Sequence, residues 1–385
     1  MFTVIMKNFI AGQHRTIRAN TALEYQSFLP NLINKPFIAN NQSTIILLEE
    51  ATRLLGELNA YSRLVPNIDY FIQMHVKSEA VSSSKIEGTR TEIDEALLPE
   101  EEIDPERRDD WREVHNHIEA MNWSVSELNR LPVSLRLIKK THKRLLSGVR
   151  GNYKMPGEIR TSQNWIGGSS IRTAHFVPPV PEELGILLSD FEKFWHNTEL
   201  NIPVLIKIAI MHYQFETIHP FLDGNGRLGR LLITLQLIER QFLSKPVLYI
   251  SDYFEEYRQS YYETLDFVRK TNDLESWVRF FLEGIVMTSN KGKQKLENII
   301  ALREQYESKI ATLGRRVPTA RKLLIHLFSQ PITNVKNIAE VLDLSFRAAN
   351  DLVDSMTKID ILQEKTGYSR NRLFEMKAYL MLFRR

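Results

Sequence analysis

Two apolar segments, residues 202–218 and 228–242, flank a short polar turn just past the middle of the chain. In each, Leu, Ile and Phe recur at intervals of three and four. That spacing predicts two helices buried in a core. The turn between them, His219-Pro220-Phe221-Leu222-Asp223-Gly224-Asn225-Gly226-Arg227-Leu228-Gly229-Arg230, is dense in polar chemistry. A polar turn adds little to a core. A helix N-terminus, however, offers unpaired N–H groups and the positive end of a dipole, so the pattern points to an anion cradle.

The same periodicity predicts helices elsewhere. One spans 43–61, with Ser43 or Thr44 as N-cap and Ile46, Leu47, Leu54, Leu55 and Leu58 as its apolar stripe. A second restarts at Pro66-Asn67 and runs to Ile86, with Gly88 as its stop. Others are expected at 111–130, 132–146, 181–197 and 253–270, and at 274–314 as one or two pieces. Residues 1–40 show no strong period and read as an irregular lead-in. Residues 91–110 are acid-rich, with Pro99 and Pro105, and read as a surface loop with a short helix. Residues 151–181 form the longest stretch without helical period. Its glycines, serines and the Trp165-Ile166 pair predict a hairpin-like flap. Beyond Pro318, helices at 319–329, 335–342 and 346–359 precede a two-stranded ribbon over 362–374, turning at Thr366-Gly367-Tyr368. This order is that of a winged helix-turn-helix. The expected fold class is mainly α, a helical bundle with a small flap and a C-terminal winged helix. The divisions fall at 1–110, 111–285, 286–317 (a linker helix) and 318–385.

Composition changes this picture little. At 385 residues, 43% hydrophobic and 25% charged, the chain can bury sizeable cores. The net charge of +3 does not demand a nucleic-acid partner. There is no cysteine, hence no disulfide framework or thiolate chemistry, which suits a reducing cytoplasm. The longest apolar run, Ile202–Met211, is broken by Lys207 and too short to span a bilayer, and Met1–Ile10 lacks the features of a signal peptide.

The turn's residue types suggest roles. His219, at a helix end, is a candidate general base. Asp223 is a hard oxygen ligand suited to Mg²⁺ on phosphates. Gly224 and Gly226 allow backbone to approach an anion, and Asn225 adds amide donors. Arg227 and Arg230, three apart, can face one phosphate chain. His212, Glu216 and His219 share a helix face, but core packing accounts for the first two more simply than a metal site does. No P-loop motif occurs. Glu87 ends a helix where a carboxylate opposes the dipole. It is either a solvated residue or one held there to meet a cation from another element.

His219–Arg230 matches position for position the H-P-F-x-[DE]-G-N-G-R-x-x-R signature of the Fic-domain family, which this chain resembles from about residue 30 onward. Pro156-Gly157-Glu158-Ile159-Arg160 through Pro179 looks like the family's target-binding flap. Tyr261-Tyr262 looks like its paired tyrosines beside the adenine. Ser83-x-x-x-Glu87-Gly88 is similar to its inhibitory motif, and a winged-helix tail occurs in many members. The resemblance implies transfer of AMP from ATP to a Ser, Thr or Tyr hydroxyl of a protein, the enzyme itself included. His219 would be the base and Asp223 would hold Mg²⁺. Nucleotide contacts would come from Asp223 to Arg230, with Leu228 and Gly229 inside the motif, and from Tyr261. Trp165, Ile166 and Gly167 would pin the target, and Ser83 and Glu87 would restrain Arg230. Gly226 stands where phosphorylating members carry lysine. Removal of AMP by the same site stays open, as does a homodimer. The tail carries 13 Lys+Arg and 7 Asp+Glu from Arg315 to Arg385, which leaves DNA binding and protein docking both open.

Overall fold

The computed structural model describes residues 9–37, 41–64, 68–148, 153–367 and 372–384. Pro66, Asn67, Tyr368 and Arg385, all named in the expectations above, lie outside the described residues, as do Met1–Asn8.

At the centre lie α6 (Val204–Ile218) and α7 (Asn225–Glu239), joined by the polar turn. Both are buried on nearly every face, since other helices cover them all round. Before them come α1 (Gln42–Leu64), α2 (Ile68–Ile86), α3 (Arg108–Glu127), α4 (Leu135–Leu145) and α5 (Leu184–His196). After them come α8 (Ile250–Glu256), α9 (Arg258–Thr271) and α10 (Leu274–Ile310). α10 is one continuous helix of 37 residues that packs along α1 and touches α6, α8 and α9, so it passes unbroken through residue 286.

Several boundaries differ from the sequence reading for identifiable reasons. The N-cap of α1 is Asn41, whose Oδ1 accepts the Ser43 N–H at 3.0 Å, and Ile46 is largely exposed. The lead-in is not irregular: β1 (Gly12–Ile17) and β2 (Tyr25–Pro30) form an antiparallel hairpin. β1 is open to solvent along most of its length, so it shows no apolar alternation. The segment expected as one helix at 253–270 is two, α8 and α9, meeting at Tyr257. Residues 95–107 form three short 3-10 turns.

The C-terminal unit consists of α11 (Val317–Ser329), β3 (Ile332–Asn334), α12 (Val335–Leu342), α13 (Phe346–Lys358), β4 (Gln363–Glu364), β5 (Leu373–Glu375) and the short α14 (Lys377–Leu380). Its strands make an antiparallel sheet in the order β3-β5-β4. The Asn334 and Ser345 side chains cap α12 and α13 by accepting N–H groups at 2.8 and 3.2 Å. The unit packs on α2. Phe328 lies 4.6 Å from Phe71 between ring centres, Lys77 donates to the Ser329 carbonyl and Gln330, and Arg384 pairs with Asp94 at 2.7 Å. None of the described helices is long and apolar enough to cross a membrane.

Candidate active site

The turn begins with a strained residue. His219 closes α6 in the left-handed conformation (φ 49°), which costs a non-glycine residue about 1–2 kcal/mol. Neighbouring side chains hold it there. Arg160, 2% exposed, donates from Nε to the His219 carbonyl at 2.9 Å and from its other nitrogens to the carbonyls of Pro179, Ser162 and Ile218. Its backbone N–H reaches the Pro220 carbonyl. The Asn164 amide donates to the Phe221 carbonyl at 2.8 Å. Phe221 itself is fully buried and stacks on His142 at 3.8 Å.

His142 supplies a further brace. Its Nδ1 accepts the Gly157 N–H at 2.8 Å, so its Nε2 carries the proton and donates to the Asp223 carbonyl at 2.9 Å. Burial pulls this imidazole down to about 4 and so keeps it neutral. The sequence reading gave His142, Asn164 and Glu113 no role and quoted Arg160 only within the flap motif. No spacing rule connects them to the turn.

The first intrahelical bond of α7 runs from the Leu228 N–H to the Gly224 carbonyl, so the N–H groups of Asn225, Gly226 and Arg227 are left facing out of the helix. Gly224 takes φ 73° at the cap, a conformation glycine adopts without strain. Asp223 accepts the Gly224 N–H through Oδ1 at 2.6 Å, while its side chain stays 44% exposed at the mouth. Among the described residues no group of three or more His, Asp or Glu could hold a metal ion. A cation at Asp223 would therefore complete its oxygen shell from a phosphate chain and water.

The two arginines part company. Arg230 is wholly buried. It donates from Nε to Ser83 Oγ at 3.0 Å, and from Nη2 to the Ser83 carbonyl at 2.8 Å and to Glu87 Oε1 at 2.7 Å. Burial acts against both charges, yet each offsets this for the other: Glu87 is held below the usual carboxylate range and Arg230 is raised further. Gly226 makes room for the pair, because a Cβ there would lie 2.2 Å from Glu87 Oε1. Arg227, expected beside Arg230 on the same anion, instead pairs with Glu113 of α3 at 2.9 Å. Other motif positions also turn inward. The Asn225 side-chain amide is bonded at both ends to the Phe221 backbone, so it offers a ligand only its own N–H. Leu228 is core, and its N–H is taken by the helix. Gly229 faces Glu216 and Phe215.

Tyr261, expected beside a nucleotide base, is 1% exposed; its hydroxyl meets His212 Nε2 at 2.9 Å and its ring stacks on Phe254. Of the two tyrosines, Tyr262 is the one exposed at the surface. His212 is likewise a core residue, stacked between Phe254 and Trp277. Residues 163–179 form a hairpin-like turn with a single antiparallel bridge, Ile166 to Phe176, rather than paired strands. Trp165 is 43% exposed, Ile166 packs against the core, and Gly167 turns at φ 68°. The β2 N–H of Phe28 bonds the Val177 carbonyl and ties the N-terminal hairpin to the flap.

Comparison with known proteins bears on this arrangement. Residues 45–126 match the family model described as Fic/DOC family N-terminal, and residues 132–237 match that of the Fic/DOC family. The chain is 28% identical over 293 residues to the protein adenylyltransferase Fic of Drosophila virilis, which covers 71% of this chain and 56% of that relative. It is 32% identical over 176 residues to the protein of the same name from Aedes aegypti, covering 44% of this chain and 32% of the other. The chain thus spans about half the length of the first of these relatives. Among solved structures it resembles a Fic family protein from Desulfovibrio desulfuricans G20, with a TM-score of 0.56 and 18% identity over 89% of this chain and 98% of that one. It also resembles a Fic domain containing signaling protein from Bacteroides thetaiotaomicron VPI-5482, with a TM-score of 0.54 and 17% identity over 64% and 97%. These likenesses establish the fold as the mainly helical Fic fold. Residues 45–126 and 132–237 thus carry the likeness to the N-terminal region and the Fic domain of the Fic/DOC family.

Proposed function

We propose that this protein transfers AMP from ATP to a hydroxyl side chain of a protein, itself included, with pyrophosphate leaving, and that Glu87 restrains the reaction by occupying Arg230. The observation that carries this reading is the Arg230 cluster. A buried guanidinium at the start of α7, beside free helix N–H groups, is a ready phosphate ligand, and here a carboxylate from another helix end already fills it. The names of the curated relatives support the same reaction class.

In this reading ATP lies along the N-terminus of α7. The N–H groups of Asn225, Gly226 and Arg227 face the charge that develops on the α-phosphate, a preorganised form of stabilisation. Asp223 holds Mg²⁺, which neutralises phosphate charge when bound. His219, kept neutral because burial pulls its imidazole down to about 4, takes the hydroxyl proton. Trp165, Ile166 and Gly167 form the edge on which a target segment is laid. The Glu87–Arg230 pair blocks the pose of the terminal phosphates that the transfer needs.

Glu87→Gly should raise self-labelling by labelled ATP and Mg²⁺ at least about tenfold, the equivalent of about 1.4 kcal/mol of barrier. Equal labelling of the two proteins would dispose of the restraint. His219→Ala in the same background should abolish labelling. Mass spectrometry should find a gain of one AMP, which separates this donor from UMP or phosphocholine. A loss of AMP from modified protein on incubation with the wild type would assign removal to the same site.

For the C-terminal unit, the helix–strand–helix–helix–strand–strand order supports a winged helix-turn-helix. The face of α13 mixes Arg347 with exposed Asp351 and Asp354, which repel phosphate, and the unit packs on α2. Both features favour docking within the protein over reading of DNA. The full chain should give no salt-dependent shift of random duplex DNA at low salt.

A further inference from the structure

Glu216 lies on the last turn of α6, three residues before His219, and is 6% exposed. Its Oε2 is 4.0 Å from His219 Nδ1, and His219 is its only ion-pair neighbour among the described residues. Glu216 Oε1 and His219 Nδ1 are both buried without a hydrogen-bond partner. Buried orphans are rare in native proteins, and a reacting group is one reason to keep them. The opposing helix makes the space for this carboxylate: a Cβ at Gly229 would lie 2.3 Å from Oε1.

The charged surroundings are defined. Arg230 of α7, Glu87 beyond α2 and Arg269 of α9 face Glu216. Arg160, Glu87 and Arg269 face His219, whose ring also lies by the backbone carbonyl of Glu216. The arginines support a negative charge at Glu216, and Glu87 opposes one.

We propose that Glu216 is the positioning residue for His219: its carboxylate accepts the Nδ1–H, leaves Nε2 as the free lone pair, and balances the charge His219 gains. This rests on the role given to His219 above. In the transfer, the target O–H bond breaks and its proton goes to Nε2. The oxygen bonds the α-phosphorus as the bond from phosphorus to the bridging oxygen breaks, and pyrophosphate leaves with that electron pair. The Nδ1–H stays on the ring throughout, directed at Glu216. The 4.0 Å gap is of the kind that closes when a site fills.

The protonation state matters to this role. A protonated Glu216 would donate to Nδ1 and so leave the ring proton on Nε2, the wrong tautomer for a base. Burial pushes the Glu216 carboxyl up to about 7, Arg230 works against this, and Glu87 adds to it. Activity therefore rises with pH as Glu216 ionises. Once Glu87 is removed, that rise moves to lower pH.

The test compares Glu87→Gly with Glu87→Gly/Glu216→Gln, two proteins of matched shape at the site. The second change should lower kcat about tenfold or more, leave the KM for ATP nearly unchanged, and remove the acid limb of the rate profile. Nitrogen NMR of His219 gives a reading independent of activity. In the Glu87→Gly protein Nδ1 should carry the proton above the Glu216 transition, and the tautomer should change through it; in the Gln variant this pH dependence should vanish. An unchanged kcat and an unchanged tautomer in Glu216→Gln would overturn the proposal and leave the backbone carbonyl as what orients the ring. If Glu87→Gly shows no labelling at all, the proposed transfer fails, while the tautomer still decides Glu216. Should the Gln variant not fold, titration of the His219 tautomer in the parent protein decides alone.

Discussion

The turn at residues 219–224 and the flap at 163–179 are both connecting segments, joined where the Asn164 amide donates to the Phe221 carbonyl. They are held in different ways. The turn receives side-chain hydrogen bonds from the flap base (Arg160, Asn164), from α4 (His142) and from α7 (Asn225), with most of these groups buried. The flap tip hangs on one bridge and on the Thr173 hydroxyl that receives the Ser169 and Ser170 N–H groups, while the far end, Phe176 to Pro179, is tied to β2, Arg160 and Arg269. Much of the tip is exposed. Local opening is easiest where buried contacts are few. A base and a phosphate cradle need fixed positions, whereas a segment that receives another chain gains from freedom to adjust, so the unequal support matches the roles proposed.

Arg160 is where the contrast can be broken most severely, because it bonds both segments. Arg160→Ala should cost about 3–5 kcal/mol in urea unfolding, since several buried carbonyls lose their donor at once. Labelling should vanish with it. A cost near zero would mean that the strained His219 backbone holds itself.

Acid should attack the turn before the flap. The folded-state pKa of His142 is depressed from 6.5 to about 4, chiefly by burial, so its contribution is present above pH 6.5 and lost as pH falls toward 4. A shift of this size corresponds to about 3 kcal/mol at most. Thermal unfolding midpoints should fall over that window, and less steeply in His142→Gln, which does not titrate there. Equal slopes would remove His142 from the account.

Gly168 sharpens the comparison from the other side. It sits at φ 70°, and a Cβ there would meet the Thr173 carbonyl oxygen at 2.2 Å. Gly168→Ala should disturb the flap locally by about 1–2 kcal/mol. Hydrogen exchange should quicken around Ile166 and Phe176 while the unfolding midpoint stays within error. A fall in the global midpoint would show that the flap belongs to the cooperative core.

The smallest expected effect on stability is Gly226→Ala, below about 1 kcal/mol, because the backbone there is helical and alanine suits a helix. Its Cβ would nevertheless push Glu87 away from Arg230. Self-labelling should therefore rise toward that of Glu87→Gly with little change in unfolding. Unchanged labelling would mean that the pair re-forms around the methyl group.

Residue order alone determined the buried helix pair, and the resemblance of Ser83 to Gly88 to an inhibitory motif pointed to the contact that Glu87 makes with Arg230. It also placed α12 to the residue, because period 3.6 and caps are written locally. The tertiary structure decided what covers each face. Arg227 and Arg230 have the same spacing and chemistry, yet α3 brings Glu113 to one and the end of α2 brings Ser83 and Glu87 to the other. Tyr261 and Tyr262 are neighbours in sequence, but the packing of α8 and α10 buries the first and leaves the second at the surface. The N-terminal hairpin went unread because β1 is exposed on both faces and carries no alternation. Periodicity states which side of an element is apolar. Which distant side chain arrives to meet a polar one is fixed only when the helices close around it.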